Sequence, residues 1–414
     1  MINWKKIAIG KAIRFNPPES ITKGSLVKKI PMGYLTEFQR KINGFELSEY
    51  NSGPKFRNKD TLVAKITPCL ENGKTAYVDV LKDNEVAFGS SEFIVLRKTD
   101  LTDSKFIYYL AISPTFRNRA ISCMEGTSGR KRVNDKTLKN FELPIPSIEY
   151  QKKIAKVLSD LDAKIEVNNK INQELEAMAK TLYDYWFVQF DFPDANGKPY
   201  KSSGGRMVYN KELNREIPEG WEFDIVENLL AKDNKTKKIP SSEYLDKGKI
   251  PIIDQSMKFI CGYTNVEESI IDTIEPRIIF GDHTRIVKLI NFDFARGADG
   301  TQVLLSNNPR MPQHLFYHAL LKIDLSNYGY ARHFKFLKDT KIVIPHLEVA
   351  NKFEKFIEGF FKKIRHNIFE NHELTELRDW LLPMLMNGQV TVGEAEKELG
   401  MVAENGEAYN ISHK

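Results

Sequence analysis

The feature that most constrains this chain is a long heptad seam that occurs twice. From Pro146 the sequence runs PSIEYQKKIAKVLSDLDAKIEVNNKINQELEAMAKTLYDYW, and from Pro345 it runs PHLEVANKFEKFIEGFFKKIRHNIFENHELTELRDWLLPML, an offset of 199 residues (345 − 146). Alternating steps of four and three select Ile154, Leu158, Leu161, Ile165, Asn168, Asn172, Leu175, Ala179, Leu182 and Trp186. The same offset then selects Phe353, Ile357, Phe360, Ile364, Asn367, Asn371, Leu374, Arg378, Leu381 and Leu385. This spacing puts apolar side chains on one stripe of a helix, the pattern of a coiled coil. Two ordinary amphipathic helices on separate cores seldom keep the alternation so long. Two matching seams in one chain predict that each is the other's partner.

The polar interruptions predict the register. An Asn in an apolar seam lowers stability, but it selects the alignment in which amides meet, because any other leaves them unpaired. Antiparallel pairing about the seam midpoints sets Asn168 opposite Asn371 and Asn172 opposite Asn367, each pair adding to 539. Ile154 then meets Leu385, and Trp186 meets Phe353. Arg378 is the one charged residue on the two seams.

The remaining sequence divides around the seams. A length of 414 residues predicts two or three domains. The expected fold is α+β: two similar mixed α/β domains, 1–146 and 217–345, separated by long helices at 147–188 and 346–388. The helices are expected to pair as an antiparallel coiled coil, giving a pseudo-two-fold chain. Residues 189–216 read as a Pro/Gly/Ser-rich connector and 389–414 as a frayed acidic tail. In the first domain Thr61–Thr67 and Glu92–Leu96 are strand-like, and a helix is expected over Asp103–Arg119. Trp4 and Trp221 each open a unit, and Leu138–Pro146 matches Leu337–Pro345 at the offset of 199.

Several classes are disfavoured. No apolar run approaches the ~20 residues of a membrane span, and the first residues are too polar for a signal peptide. Cys69, Cys123 and Cys261 lie far apart, suggesting neither a disulfide framework nor a zinc site, so a cytoplasmic setting is expected. Asn16-Pro17-Pro18 looks like the start of an adenine-methyltransferase motif, but Glu19 follows where an aromatic would stack on a flipped base. A turn is the better account. His283 is a lone histidine, and His366 and His372 are six apart rather than at the four-residue spacing of helical metal ligands. No metal or catalytic residue is expected.

Basic loops beside turn residues are the better candidates for function. In the first domain they carry Lys55, Arg57 and Asn58, then Lys74, then Arg130, Lys131 and Arg132. In the second they carry Lys235, Lys237 and Lys238, then Arg285, then Arg332, His333 and Lys335. Arg pairs bidentately with guanine, Asn with adenine, and Lys neutralises phosphate. Any single charge run is as readily a solvated face. A net charge of +6 is compatible with nucleic acid without requiring it.

Four stretches carry a family resemblance: TPCLENGK at Thr67–Lys74, LYDYWFVQFDFP at Leu182–Pro193, KPYKSSGG at Lys198–Gly205 and GYARHFKFLK at Gly329–Lys338. With the order domain, helix, domain, helix, they make the whole chain resemble the specificity subunit of type I restriction-modification systems. The resemblance implies that each globular unit is a target recognition domain reading one half of a split site in double-stranded DNA. It implies that the helices are the spacer and the platform for two modification subunits. Those subunits would use S-adenosylmethionine, and restriction subunits would use ATP and Mg; this chain would hold no cofactor. From Ile154 to Trp186 the seam advances 32 residues, about 48 Å at ~1.5 Å per residue. At ~3.4 Å per base pair, the read segments are expected within roughly 14 base pairs of each other.

Overall fold

The structure, a computed structural model, describes residues 4–400 apart from 128, 233–235, 298, 330–331 and 399. Two compact units emerge: Met1–Val167 with Glu370–Lys414, and Asn168–Phe369. The division runs through the long helices Ile148–Tyr183 and Leu347–Met386 instead of at their ends. Each helix half belongs to a globular unit because its apolar stripe is part of that unit's core. Of the tail expected at 389–414, residues 401–414 lie outside the described residues.

In the first unit, strand Lys5–Ala8 pairs antiparallel with Glu142–Ile145, Lys5 opposite Ile145. The central sheet orders Ile13–Phe15, Phe93–Lys98, Thr61–Ala64 and Thr75–Tyr77, all antiparallel. Thr61–Ala64 is buried at every position, which suits its short apolar and β-branched run. A second sheet orders Glu46–Glu49, Leu26–Ile30, Ala87–Gly89 and Lys55–Phe56, with a parallel pair at its centre. The helix expected over Asp103–Arg119 is two helices, Ser104–Ile112 and Pro114–Ser122. Pro114 has no N–H and disfavours a helical residue before it, so Ser113 is extended and caps the second helix. Asp103 caps the first, accepting from the Lys105 and Phe106 amides. In the stretch Leu138–Pro146 only Glu142–Ile145 is strand; Leu138 belongs to a short helix, Asp135–Lys139.

Within this unit Ile154, Leu158 and Leu161 share a core with Leu374, Leu381 and Leu385. The beginning of one helix therefore meets the end of the other, the antiparallel arrangement. Arg378, the charged residue on the seam, donates to Asp162 Oδ1 at 2.9 Å. Tyr109 donates its hydroxyl to Asp162 Oδ2 at 2.6 Å. A buried charge needs such a partner, and here it has one.

The second unit repeats this plan. Strand Glu222–Ile225 pairs antiparallel with Lys341–Ile344, Glu222 opposite Ile344. The offsets are 217 for the first strand (222 − 5) and 199 for the last (344 − 145), so the closing pair keeps one register in both units. A three-stranded antiparallel sheet orders Val287–Ile290, Arg277–Gly281 and Thr301–Leu304. A four-stranded sheet orders Gly262–Thr264, Ile250–Ile253, Phe294–Arg296 and Ile270–Ile271, again with a central parallel pair. Helices Gln313–Leu321 and His333–Lys338 correspond to Ser104–Ile112 and Asp135–Lys139.

Here the seam residues Ala179 and Trp186 are buried among Phe353, Ile357 and Ile364, while Tyr183 is buried beside Leu182, which like Phe360 is only partly covered. The Trp186 and Phe353 rings lie 5.8 Å apart, and Asn367 Nδ2 donates to Asn172 Oδ1 at 2.8 Å. Asn168 is buried. At its end the first helix widens into a π turn, Asp184–Val188. The aromatic run in and after this turn is core: Phe187 meets Phe353 at 5.0 Å, and Phe192 stacks on Trp221 at 5.0 Å. The expected connector is also structured. Asp191 accepts from the Ser202 amide and hydroxyl at 2.7 and 2.6 Å, and strands Met207–Asn210 and Arg215–Pro218 form a hairpin.

Candidate nucleic-acid interface

The repeated plan brings two of the basic segments to one equivalent place. In the first unit the Lys65 amide donates to Glu92 O at 2.9 Å, and the Val133 amide donates to Lys65 O at 2.8 Å. In the second the Asp282 amide donates to Gly300 O at 2.7 Å, and the His333 amide donates to Asp282 O at 3.0 Å. Lys65 and Asp282 each follow the end of the central strand, Thr61–Ala64 or Arg277–Gly281. Arg132 and Arg332 are therefore structural counterparts, each immediately before the residue laid along that strand's extension.

In the first unit this segment is an exposed loop braced at its base. Met124–Glu125 pairs with Arg132–Val133, closing a hairpin. Thr67, from the TPCLENGK stretch, exchanges backbone and side-chain bonds with it: the Lys131 amide donates to Thr67 Oγ1, and the Thr67 amide donates to Lys131 O, both at 3.1 Å. Arg130 and Lys131 are exposed. Arg132 donates from Nε and Nη2 to the Glu92 carboxylate, at 3.0 and 2.7 Å. Those hydrogen bonds hold the Glu92 carboxyl below the usual carboxylate range.

In the second unit the corresponding place is a cleft of about 380 Å³ lined by Lys238, Asp282, His283, Asp299, Gly300, Gln302 and Arg332. Two cations face two carboxylates and an amide, so the cleft offers donors and acceptors without a strong net charge. Gly300 keeps it open: its φ is +75°, and a Cβ there would lie 2.5 Å from Gln255 Nε2 and 2.8 Å from His283 Cδ2.

Other basic positions divide by their partners. Asn58 has both ends of its amide occupied, donating to Leu81 O at 2.6 Å and accepting from the Leu81 amide at 3.0 Å. His333 is buried, with Nδ1 2.9 Å from Asp282 O and Nε2 3.1 Å from Gly329 O. Both side chains are engaged by the backbone around them. Lys55 Nζ donates to Glu19 O at 2.6 Å, and Arg57 approaches Glu19 Oε1 at 3.5 Å. Lys74 is half-buried. Arg285 is exposed and donates to Leu325 O at 3.3 Å; Lys237 and Lys335 are also exposed. Lys235 lies outside the described residues. The methyltransferase-like Asn16 also serves the fold, accepting from the Val95 amide and donating to Asp135 at 2.9 and 3.0 Å.

Sequence reasoning missed Glu92, Asp299 and Gln302. Each sits on or beside a strand far along the chain from its basic neighbour, so no local pattern marks it. Among the described residues no group of three or more His, Cys, Asp and Glu is placed to hold a metal ion. Among them, too, no helix is long and apolar enough to cross a membrane.

The model of the type I restriction modification DNA specificity domain matches residues 27–177. The MjaIX specificity subunit of a type I restriction enzyme from Methanocaldococcus jannaschii is 28% identical over 312 residues, covering 70% of each chain. The HindI specificity subunit from Haemophilus influenzae is 24% identical over 402 residues, covering 80% of this chain and 86% of that one. A crystal structure of the type I restriction-modification S subunit from M. genitalium shares the fold, with a TM-score of 0.50 at 18% identity over 93% of this chain and 96% of that one. Residues 27–177 thus match a type I restriction modification DNA specificity domain, and most of the chain is similar to type I restriction enzyme specificity subunits.

Proposed function

We propose that the chain is the DNA sequence-recognition subunit of a type I restriction-modification complex, reading an asymmetric site in two parts. The observation that carries this is the equivalent placement of Arg132 and Arg332 in two units of one plan with different neighbours. Equal placement supports one task performed twice. Different neighbours, Glu92 in one unit and the Asp299–Gln302 cleft in the other, support two different half-sites. Arg130, Lys131 and Arg132 serve the first half; Lys238, Arg332 and Gln302 serve the second. Lys55, Arg57, Lys74, Lys237, Arg285 and Lys335 add backbone attraction where exposed.

The chain itself performs no catalysis in this reading and acts in the cytoplasm. Two modification subunits dock on its helices and supply methyl transfer with S-adenosylmethionine. Restriction subunits supply the steps that use ATP and Mg. The test is sequencing of methylated positions made by the assembled complex. Arg130→Ala should relax one position in the first half-site and Arg332→Ala one in the second, since a base-edge contact is worth ~1–3 kcal/mol. Equal weakening on specific and random DNA would demote these residues to phosphate contacts. Methyl transfer by the purified chain alone would overturn the non-catalytic assignment.

A further inference from the structure

The two counterpart arginines differ in how they are held. Arg132 meets Glu92 side-on: Nε lies 3.0 Å from both carboxylate oxygens and Nη2 lies 2.7 Å from Oε1. That contact occupies one edge of the guanidinium. The outward fork, made by Nη1 and the second proton of Nη2, is left for another acceptor pair. The arginine is about half exposed and its carboxylate partner is mostly covered, so the fork faces outward from a fixed base. The backbone on both sides is fixed as well, with Arg132 in a bridge to Ile66 and the Glu92 amide accepted by Ser90 Oγ at 3.3 Å.

In the second unit the counterpart of Glu92 is Gly300, where φ is +75° and a Cβ would displace the Gln255 and His283 side chains. Among the described residues Arg332 has no carboxylate at the position of Glu92; its cleft carries Asp282 and Asp299 instead.

We propose that Glu92 is a positioning residue for sequence reading: it holds Arg132 in advance with its fork aimed at a guanine edge, without itself touching DNA. The proposal rests on the reading of the basic loops as DNA contacts. Pre-organisation raises discrimination because the side chain gives up its rotamer freedom before binding. Glu92 also repels phosphate, so it weakens attraction to DNA in general while sharpening the choice of base. These two effects have opposite signs, and a residue that merely stabilised the fold would not separate them.

The experiment uses the complex assembled with its modification subunits and measures affinity for specific and random duplexes. A substitution series across the first half-site gives the base discrimination. For Arg132→Ala we expect discrimination at one guanine position to fall by about five- to 150-fold, the range of one bidentate contact. For Glu92→Ala we expect that discrimination to fall several-fold while affinity for random DNA rises. Glu92→Gln, which keeps the shape and one acceptor, should lie between Glu92→Ala and the parent. Adding Glu92→Ala to Arg132→Ala should lower discrimination no further. Second-half discrimination should be unchanged in all of these. If Glu92→Ala leaves discrimination intact, or lowers specific and random binding alike, the positioning role is overturned. If Arg130→Ala, Arg132→Ala and Arg332→Ala all leave both half-sites unchanged, the DNA reading of the loops fails instead.

Discussion

The charged residue on the helical seam gives the sharpest stability test. Arg378 and Asp162 are mostly buried, with 12% and 7% of their side-chain surface exposed, and they meet at 2.9 Å. At an effective dielectric of ~20, two unit charges 4 Å apart attract by about 4 kcal/mol, and desolvation opposes that gain. The pair as a whole therefore contributes little net stability, whereas breaking it strands a buried carboxylate at a cost of about 3–5 kcal/mol. Arg378→Met keeps the apolar stem on the seam and removes only the partner charge. For a unit of this size each kcal/mol shifts Tm by about 2–4 °C. The variant should lose about 6–20 °C in the transition of the first unit, measured by scanning calorimetry. Combining it with Asp162→Asn removes the stranded charge yet leaves an acceptor for the Tyr109 hydroxyl. The double variant should return to within ~1–2 kcal/mol of the parent. A single variant costing under 1 kcal/mol, or a double as unstable as the single, would refute the account of Arg378 as a paired charge.

Two further tests concern the helical register and a buried histidine. With the three native cysteines replaced by serine, Asn172→Cys with Asn367→Cys should cross-link within one chain on oxidation, given the 2.8 Å amide contact. Asn172→Cys with Asn371→Cys, the pair that parallel alignment would set together, should cross-link poorly, and the reverse outcome would exclude the antiparallel register. His318 is buried against Tyr183, with ring centroids 5.7 Å apart, and burial beside His314 pushes its pKa down to about 3. Its depressed pKa means that the unfolded chain binds the proton first. Stability should then fall as pH drops below the ordinary ~6.5, by up to about 1.4 kcal/mol per unit, until about 3. Asp184 and Lys322 also act on this ring. His318→Phe should flatten that part of the pH profile, and an unaltered slope would place the acid sensitivity elsewhere.

What the sequence made legible was periodic or repeated. The 4-3 seam and the offset between the closing strands appear in the packed helix halves and the strand register, and one Asn pair of the seam, Asn172 with Asn367, meets. The partner of Arg378 was not legible, because Asp162 lies beside the seam and is satisfied from outside it by Tyr109. The helix expected over Asp103–Arg119 overlooked Pro114, a local signal that outweighs apolar spacing. In the basic loops, sequence could identify charge but not its neighbours. Asn58 is consumed by Leu81 and His333 by Asp282 and Gly329, while Arg132 is fixed by a carboxylate 40 positions earlier.

The contrast between frame and loops bears on which parts of the chain can change. Both units keep the closing strand pair in one register, the central antiparallel sheet and the neighbouring sheet with its parallel centre. These elements bury apolar side chains, so most changes in them carry the cost of cavities or overpacking. The segments between the paired helices are much freer. Residues 113–134 form a helix and a hairpin in the first unit, whereas the described part of 322–332 contains only the short 3-10 turn Ser326–Tyr328. The frame still delivers an arginine to the same place in each, because two backbone hydrogen bonds to the strand extension fix that point. Replacing Glu92 by a glycine-like opening, or filling such an opening, changes the arginine's surroundings without disturbing the strands beneath. Loops of this kind can vary while the strands and helix halves that carry them within each unit keep their packing.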